Sequence, residues 1–260
     1  MKTLIISLLN KKYNNKTILD NINLEINQGE IIGLIGKNGA GKTTLMKAIS
    51  DLIKYQGEII RPEEIGLMLD ITLLDYLSAY DNIKLLAQLD NVDLKEVNDL
   101  FDYVELTNVK HKKVNTYSMG MKQRLNLIQA IMGNKKLILL DEPFNGLDPI
   151  GKEKIKEYIT QKVKEKKTTI IISSHDLTDI SELCNRVLFL DKHKIIYDSF
   201  NSNLEEQYEI ILENNEKIII KQSELNQKIK DIVNQKIIIK NINKKEIYHQ
   251  LFEEFNEKIN

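Results

Sequence analysis

Gly36-Lys37-Asn38-Gly39-Ala40-Gly41-Lys42-Thr43-Thr44 has the form G-x-x-x-x-G-K-T, and each residue type in it suits one part of a nucleoside triphosphate. Glycines let backbone N–H groups approach phosphate oxygens. Lys42 brings a compact positive charge to the β- and γ-phosphates, and the Thr43 hydroxyl is an oxygen ligand for Mg²⁺. The apolar run Ile31 to Ile35 before the loop reads as a buried strand. Leu45 to Ile49 after it opens a helix whose positive dipole end faces the anion. Gly36, Asn38, Gly39, Gly41, Lys42, Thr43 and Thr44 are thus the candidate nucleotide contacts, and the chain reads as one that binds ATP or GTP.

Outward from the loop, residues 1 to about 60 alternate short apolar strands (Leu4 to Leu9, Ile22 to Ile26, Glu58 to Ile60) with turns at Asn14-Asn15 and Gln28-Gly29. Residues 72 to 110 carry Leu73, Leu77, Tyr80, Leu85 and Leu89 at helical spacing and read as a helical subdomain. From 118 to 190 helix and strand alternate again. Leu137 to Leu140 and Thr169 to Ile172 are apolar throughout, as strands of a parallel sheet buried on both faces are, and Leu188 to Leu190 adds a third. Near residue 200 the composition turns Lys/Glu/Asn-rich. There the sequence predicts two short strands, Lys217 to Lys221 and Lys236 to Lys240, and a final amphipathic helix from Lys244 to Phe255.

The chain has 260 residues, enough for one large α/β domain and a small appendage. Its net charge of −1 gives no broad electrostatic footprint for nucleic acid. Cys184 is the only cysteine, which excludes an internal disulfide and fits a reducing compartment. The first ten residues read as a strand rather than a signal peptide. No run of roughly 18 apolar residues exists, so a membrane function would need a separate polypeptide to do the spanning.

The remaining chemistry lies in elements that follow the loop. Leu137 to Leu140 runs into Asp141-Glu142-Pro143, an apolar strand ending in paired carboxylates. Asp141 is placed to hold Mg²⁺, and Glu142 to orient and deprotonate an attacking water. Ser118-Met119-Gly120-Met121-Lys122-Gln123-Arg124 caps a helix whose N-terminus is a second anion site, although alone it is an ordinary cap. Asn145-Gly146-Leu147-Asp148-Pro149 is a turn before the next helix. His175 follows a buried strand at the edge where α/β sheets bind ligands, a place also taken by histidines that only pack.

In this order, residues 1 to about 200 resemble the ATP-binding subunit of ABC transporters. Ser118 to Arg124 looks like the family's signature motif, the Asp148 turn like its D-loop and His175 like its switch histidine. Tyr13 resembles the aromatic that stacks on adenine; otherwise it is a buried strand-edge tyrosine. The resemblance implies an α/β P-loop NTPase of ABC type: a mixed central sheet, a helical signature subdomain (about 72–133) and, after residue 200, a small C-terminal α+β extension. It implies ATP and Mg²⁺ as cofactors and a sandwich dimer, homomeric or heteromeric. Lys42, Asp141 and Glu142 of one subunit would face Ser118 and Gly120 of the other across each ATP. A separate transmembrane permease would hold the subunit at the cytoplasmic membrane face.

Asp70 stands where the family usually has a Gln that meets the metal and the permease contact. An acidic residue there resembles the branch serving peptide-antibiotic immunity and bacitracin- or lantibiotic-type export, which usually carries Glu, so Asp70 joins Thr43 and Asp141 as a metal-site candidate; a solvated surface Asp is the other reading. The expected function is ATP hydrolysis powering export of peptide antibiotics or related amphipathic compounds. The alternative is a soluble, non-transport ABC ATPase acting as an assembly or regulatory scaffold. A single set of motifs argues against its two-domain ribosomal form.

Overall fold

The computed structural model describes residues 1–69, 73–174, 177–200, 207–235 and 237–245. It divides into two compact units, Met1–Ser199 and Phe200–Asn260.

In the first unit, β1 (Lys2–Tyr13) and β2 (Lys16–Asn27) form an antiparallel hairpin, and β4 (Gln56–Ile60) adds to β1. Both long strands outrun their apolar cores. The ladder continues through Lys12↔Thr17 and Tyr13↔Lys16, where polar side chains hide the alternation but backbone pairing persists. The second sheet has the order β5-β6-β7-β3-β8-β9. Its strands are β3 (Ile31–Ile35), β5 (Ile65–Met68), β6 (Leu137–Asp141), β7 (Thr169–Ser173), β8 (Arg186–Asp191) and β9 (Lys194–Phe200). The pairs from β5 through β8 are parallel. β9 returns after the two-residue connection Lys192-His193, too short for a parallel crossover, so the sheet is mixed.

α1 (Lys42–Ile49) lies between the two sheets. Its Leu45, Met46 and Ile49 pack with Leu4, Ile6, Leu24 and Ile26 from one side and Ile32, Leu34, Leu139 and Leu188 from the other. Below β3, Cys184 is buried, and a Cβ placed on Gly33 would lie 3.4 Å from its Sγ.

The helical region comprises α2 (Ala79–Leu89), α3 (Leu94–Tyr103) and α4 (Met119–Ile131), capped by Ser78, Asp93 and Ser118. The leucine stripe expected over 73–89 is corrected here. Leu73 and Leu77 precede the helix, and Leu85 and Leu89 are 45% and 73% exposed. The buried face of α2 is Ala79, Asn82, Ile83 and Ala87 instead. Ser78 accepts the Asp81 amide and so starts the helix late, while the Asn82 side chain is held by both backbone groups of Leu74. α5 (Pro149–Lys166) and α6 (Leu177–Leu183) complete the unit.

The second unit is a three-stranded antiparallel sheet, β11-β10-β12, with α7 (Gln222–Asn234) against it. β10 (Gln207–Leu212) and α7 are absent from the sequence expectation, and the strand expected at Lys236–Lys240 lies at Ile239–Lys245 (β12). β11 is Lys217–Lys221 as expected. Leu225, Ile229 and Ile232 do recur at helical spacing along α7 and meet Ile210, Leu212 and Ile220, but the surrounding Lys, Asn and Gln mask the pattern. The final helix expected over Lys244–Phe255 starts inside β12, and from residue 246 lies outside the described residues.

Candidate functional site

Three neighbouring parallel strands, β6, β7 and β3, end at one edge of the second sheet. The loops that leave their C-terminal ends carry the chemistry, as expected for open α/β sheets. β3, wholly buried, delivers the chain into the Gly36–Thr44 loop. A Cβ on Gly36 would fall 2.4 Å from the Leu190 carbonyl oxygen, and Gly41 sits at φ 110°, so neither position accepts a side chain. The first intrahelical bond of α1 runs from the Leu45 amide to the Gly41 carbonyl at 2.8 Å. The amides of the preceding turn are therefore available to an anion. Asn38 and Gly39 are exposed, whereas Thr43 and Thr44 are half-buried.

Lys42 is buried, and its Nζ donates to the Gly36 carbonyl at 2.7 Å and more weakly to that of Lys37 at 3.4 Å. The loop thus curls around its own ammonium group. The Thr43 hydroxyl donates to Asp141 Oδ2 at 2.5 Å, and the Ser173 hydroxyl donates to Asp141 Oδ1. Thr43 and Asp141, 98 residues apart in sequence, are brought together by the adjacency of β3, β7 and β6. Their oxygens suit Mg²⁺, a hard cation that takes one or two protein oxygens and fills its remaining positions with phosphate and water.

Glu142 leaves the end of β6 at φ 53°, in the left-handed region. For a residue with a Cβ this costs roughly 1–3 kcal/mol and persists only when neighbours hold it. Here they do. The Glu142 amide donates to the Ser173 hydroxyl at 2.9 Å and carbonyl at 3.2 Å. The Glu142 carbonyl accepts the Gln123 side-chain amide at 3.0 Å and the Asn145 backbone amide at 3.3 Å.

Ser118 and Gly120 lie at the other end of this linkage, at the start of α4. The Ser118 hydroxyl accepts the Met121 amide at 3.3 Å. A Cβ on Gly120 would sit 3.2 Å from the Gly146 carbonyl oxygen, and Gly146 itself has φ 75°, so helix and loop meet backbone to backbone. Asp148 caps α5 through the Gly151 amide at 2.7 Å. Tyr13 stands at the hairpin end of β1, 44% exposed, with Lys11 Nζ 4.4 Å from its ring centroid. The reading of Tyr13 as a buried strand-edge residue is corrected, because the β1–β2 hairpin carries it past the core. Asp70 and His175 lie outside the described residues.

Sequence reasoning passed over Ser173 and Gln123 as site residues. Ser173 was legible as a hydroxyl ending an otherwise apolar strand. Gln123 carries no local signal, since only the fold brings it to Glu142.

Sheet order, loop and carboxylate pair together define a phosphate-loop nucleoside triphosphatase. Comparison with known proteins narrows this. Residues 19–145 match the ABC transporter family model. The lantibiotic transport ATP-binding protein SrtF of Streptococcus pyogenes is 39% identical over 215 residues, covering 77% of this chain and 93% of the relative. The bacitracin transport ATP-binding protein BcrA of Enterococcus faecalis is 36% identical over 192 residues, covering 68% and 62%. In structure, a dimeric ATP-binding cassette in a post-hydrolysis state bound to ADP and Pi superposes with a TM-score of 0.70 at 24% identity, over 76% of this chain and 99% of that one. The chain belongs to the ABC transporter family. It is an ATP-binding subunit, and its activity is ATP hydrolysis coupled to transport.

Proposed function

We propose that this subunit powers a membrane exporter of peptide antibiotics or related amphipathic compounds, so that its cell protects itself against them. The substrate class rests on the lantibiotic and bacitracin relatives. The mechanism rests on one observation above all: Thr43, Asp141 and Ser173 joined at the sheet edge, with Glu142 fixed beside them.

Lys42 exchanges its loop carbonyls for the β- and γ-phosphate oxygens. Thr43 and Asp141 would hold Mg²⁺, which would supply charge neutralisation on those phosphates. Glu142 orients the attacking water and takes its proton. Tyr13 stacks on adenine, while Gly36, Asn38, Gly39, Gly41 and Thr44 line the phosphates. Ser118 and Gly120 close over the γ-phosphate of a second subunit in a sandwich dimer. His175 senses that phosphate, and Asp70 links the metal site to the permease contact.

Among the described residues no helix is long and apolar enough to cross a membrane. In keeping with the transport ATP-binding relatives, a separate permease supplies the passage and this subunit sits against its cytoplasmic side. Its docking surface is the segment from Asp70 to Asn82, in which Tyr76 is 67% exposed.

Glu142→Gln tests the chemistry. ATP binding should survive while turnover falls by roughly 100-fold or more, and an ATP-bound dimer should accumulate. Unchanged steady-state hydrolysis would remove Glu142 from the mechanism.

A further inference from the structure

The Gln123 side chain reaches from α4 across to the strained Glu142 peptide at the end of β6. Its Nε2 donates to the Glu142 carbonyl at 3.0 Å, across 19 residues of sequence. Gly120 lies three residues earlier on the same helix, so both project from one face. That face rests on the loop that follows Glu142: a Cβ on Gly120 would sit 3.2 Å from the Gly146 carbonyl oxygen, a tight contact, and Gly146 at φ 75° disfavours a side chain of its own. On the opposite side, the Glu142 amide is held by Ser173 of β7. The peptide groups flanking the Glu142 Cα are thus fixed from two directions, one rigidly set in the sheet and one carried on α4. With φ at 53°, rotation of either peptide swings the Cα–Cβ bond and redirects the carboxylate.

We propose that Gln123 is a positioning residue that aims the Glu142 carboxylate, and that α4 thereby ties the aim of the base to the Ser118–Gly120 end of the same helix. This rests on the reading of Glu142 as the base. In a sandwich dimer that helix end meets the nucleotide of the other site. The amide is suited to aiming Glu142 because a directional N–H···O bond fixes an orientation that packing alone leaves loose.

The test is steady-state ATP hydrolysis with Mg²⁺ and fluorescent-ATP binding, in the full chain. Gln123→Met keeps the length and removes the donor. It should bind nucleotide within about twofold of wild type, leave KM little changed, and lower kcat by about tenfold or more, the scale expected for a small misplacement of a reacting group. Gln123→Lys, which restores an N–H donor at similar reach, should recover most of that rate. In a Glu142→Gln background the Gln123→Met change should cost nothing further, because the group it aims is already gone.

If Gln123→Met retains the wild-type kcat while Glu142→Gln abolishes turnover, the positioning role is wrong and the base assignment stands. If Glu142→Gln itself turns over normally, the underlying reading fails instead. Should Gln123→Met prove insoluble, Gln123→Glu takes its place, presenting an acceptor to the carbonyl on a side chain of the same size. Equal loss of rate in the Lys variant and the donor-less variants also overturns the proposal, since it marks a packing effect.

Discussion

At the scale of single residues, charge is placed with little slack. Lys42 is stabilised without nucleotide by the Gly36 carbonyl, so the loop already has the shape that an anion needs. Lys42→Ala should weaken ATP binding itself, by roughly 10-fold or more for loss of a charge-assisted hydrogen bond. An unchanged dissociation constant in a nucleotide titration would show that the loop amides suffice.

Lys162 is a different kind of buried lysine. It borders a cavity of about 380 Å³ shared with Glu96, Tyr103 and Tyr158, donates to the Ile131 carbonyl at the end of α4, and lies 3.6 Å from Glu96. Burial, aided by the nearby Lys166 and Lys135 and opposed by Glu96, lowers its pKa from 10.5 to about 8. Between those two values the unfolded chain holds the proton and the native chain does not, so stability rises with pH across that window. The full difference is about 3 kcal/mol. Denaturant unfolding of wild type and Lys162→Met from pH 7 to pH 10.5 should therefore show wild type gaining on the variant. A pH-independent gap would mean that Lys162 stays charged throughout.

At the scale of elements, α5 and α6 are tied by a compact ionic cluster. Buried Asp179 on α6 meets Lys152 at 2.8 Å and Lys156 at 3.2 Å on α5, and Lys156 also reaches Glu182 at 2.5 Å. Burial would lower the Lys156 pKa, but hydrogen bonds to Glu182, Glu153 and Asp179 outweigh it and hold the ammonium well above its ordinary value. Asp179→Ala removes the buried carboxylate shared by Lys152 and Lys156, while Lys156 keeps Glu182 and Glu153, and should cost about 1–3 kcal/mol, read by denaturation of the full chain. A loss below about 1 kcal/mol would class the cluster with surface ion pairs. Since α5 begins at the Asp148 cap and α6 follows the His175 segment, the same variant should also slow turnover.

The elements also show where sequence reading succeeds. β3, β6, β7 and β8 are legible because strands covered on both faces are apolar without interruption. The Gly36–Thr44 loop is legible because its residue types are dictated locally. The ends of β1 and β2, the true start of α2, and α7 are hidden. The first two depend on backbone pairing and on a cap that leave side-chain polarity free, whereas the apolar spacing of α7 is masked by its Lys, Asn and Gln neighbours. Gln123 is the limiting case, a residue whose partner is set by tertiary structure alone.

For the whole molecule, the proposed permease and second ATPase would cover surface that this chain leaves open. Exposed Leu74, Tyr76, Leu85 and Leu89 lie on the helical region and leave apolar surface facing outward. Expressed alone, the subunit should fractionate away from membranes, and it should move into the membrane fraction when its permease is co-expressed. Crosslinks should concentrate between Asp70 and Asn82. Persistent crosslinking elsewhere in an active complex would relocate the docking surface.

Cys184 carries a practical consequence for that larger assembly. It is the only thiol in 260 residues, it is buried beneath β3, and burial pushes its pKa well up, so little thiolate forms. The folded native surface should therefore be silent to maleimide reagents until it is denatured. A single cysteine introduced at Met119, which is 70% exposed beside Ser118, would be the sole labelling position per subunit. Two spin labels reporting one sharp mutual distance upon ATP addition would mean that two copies of this chain close on each other. One label with no echo partner, in an otherwise working transporter, would mean that the second ATPase is a different polypeptide.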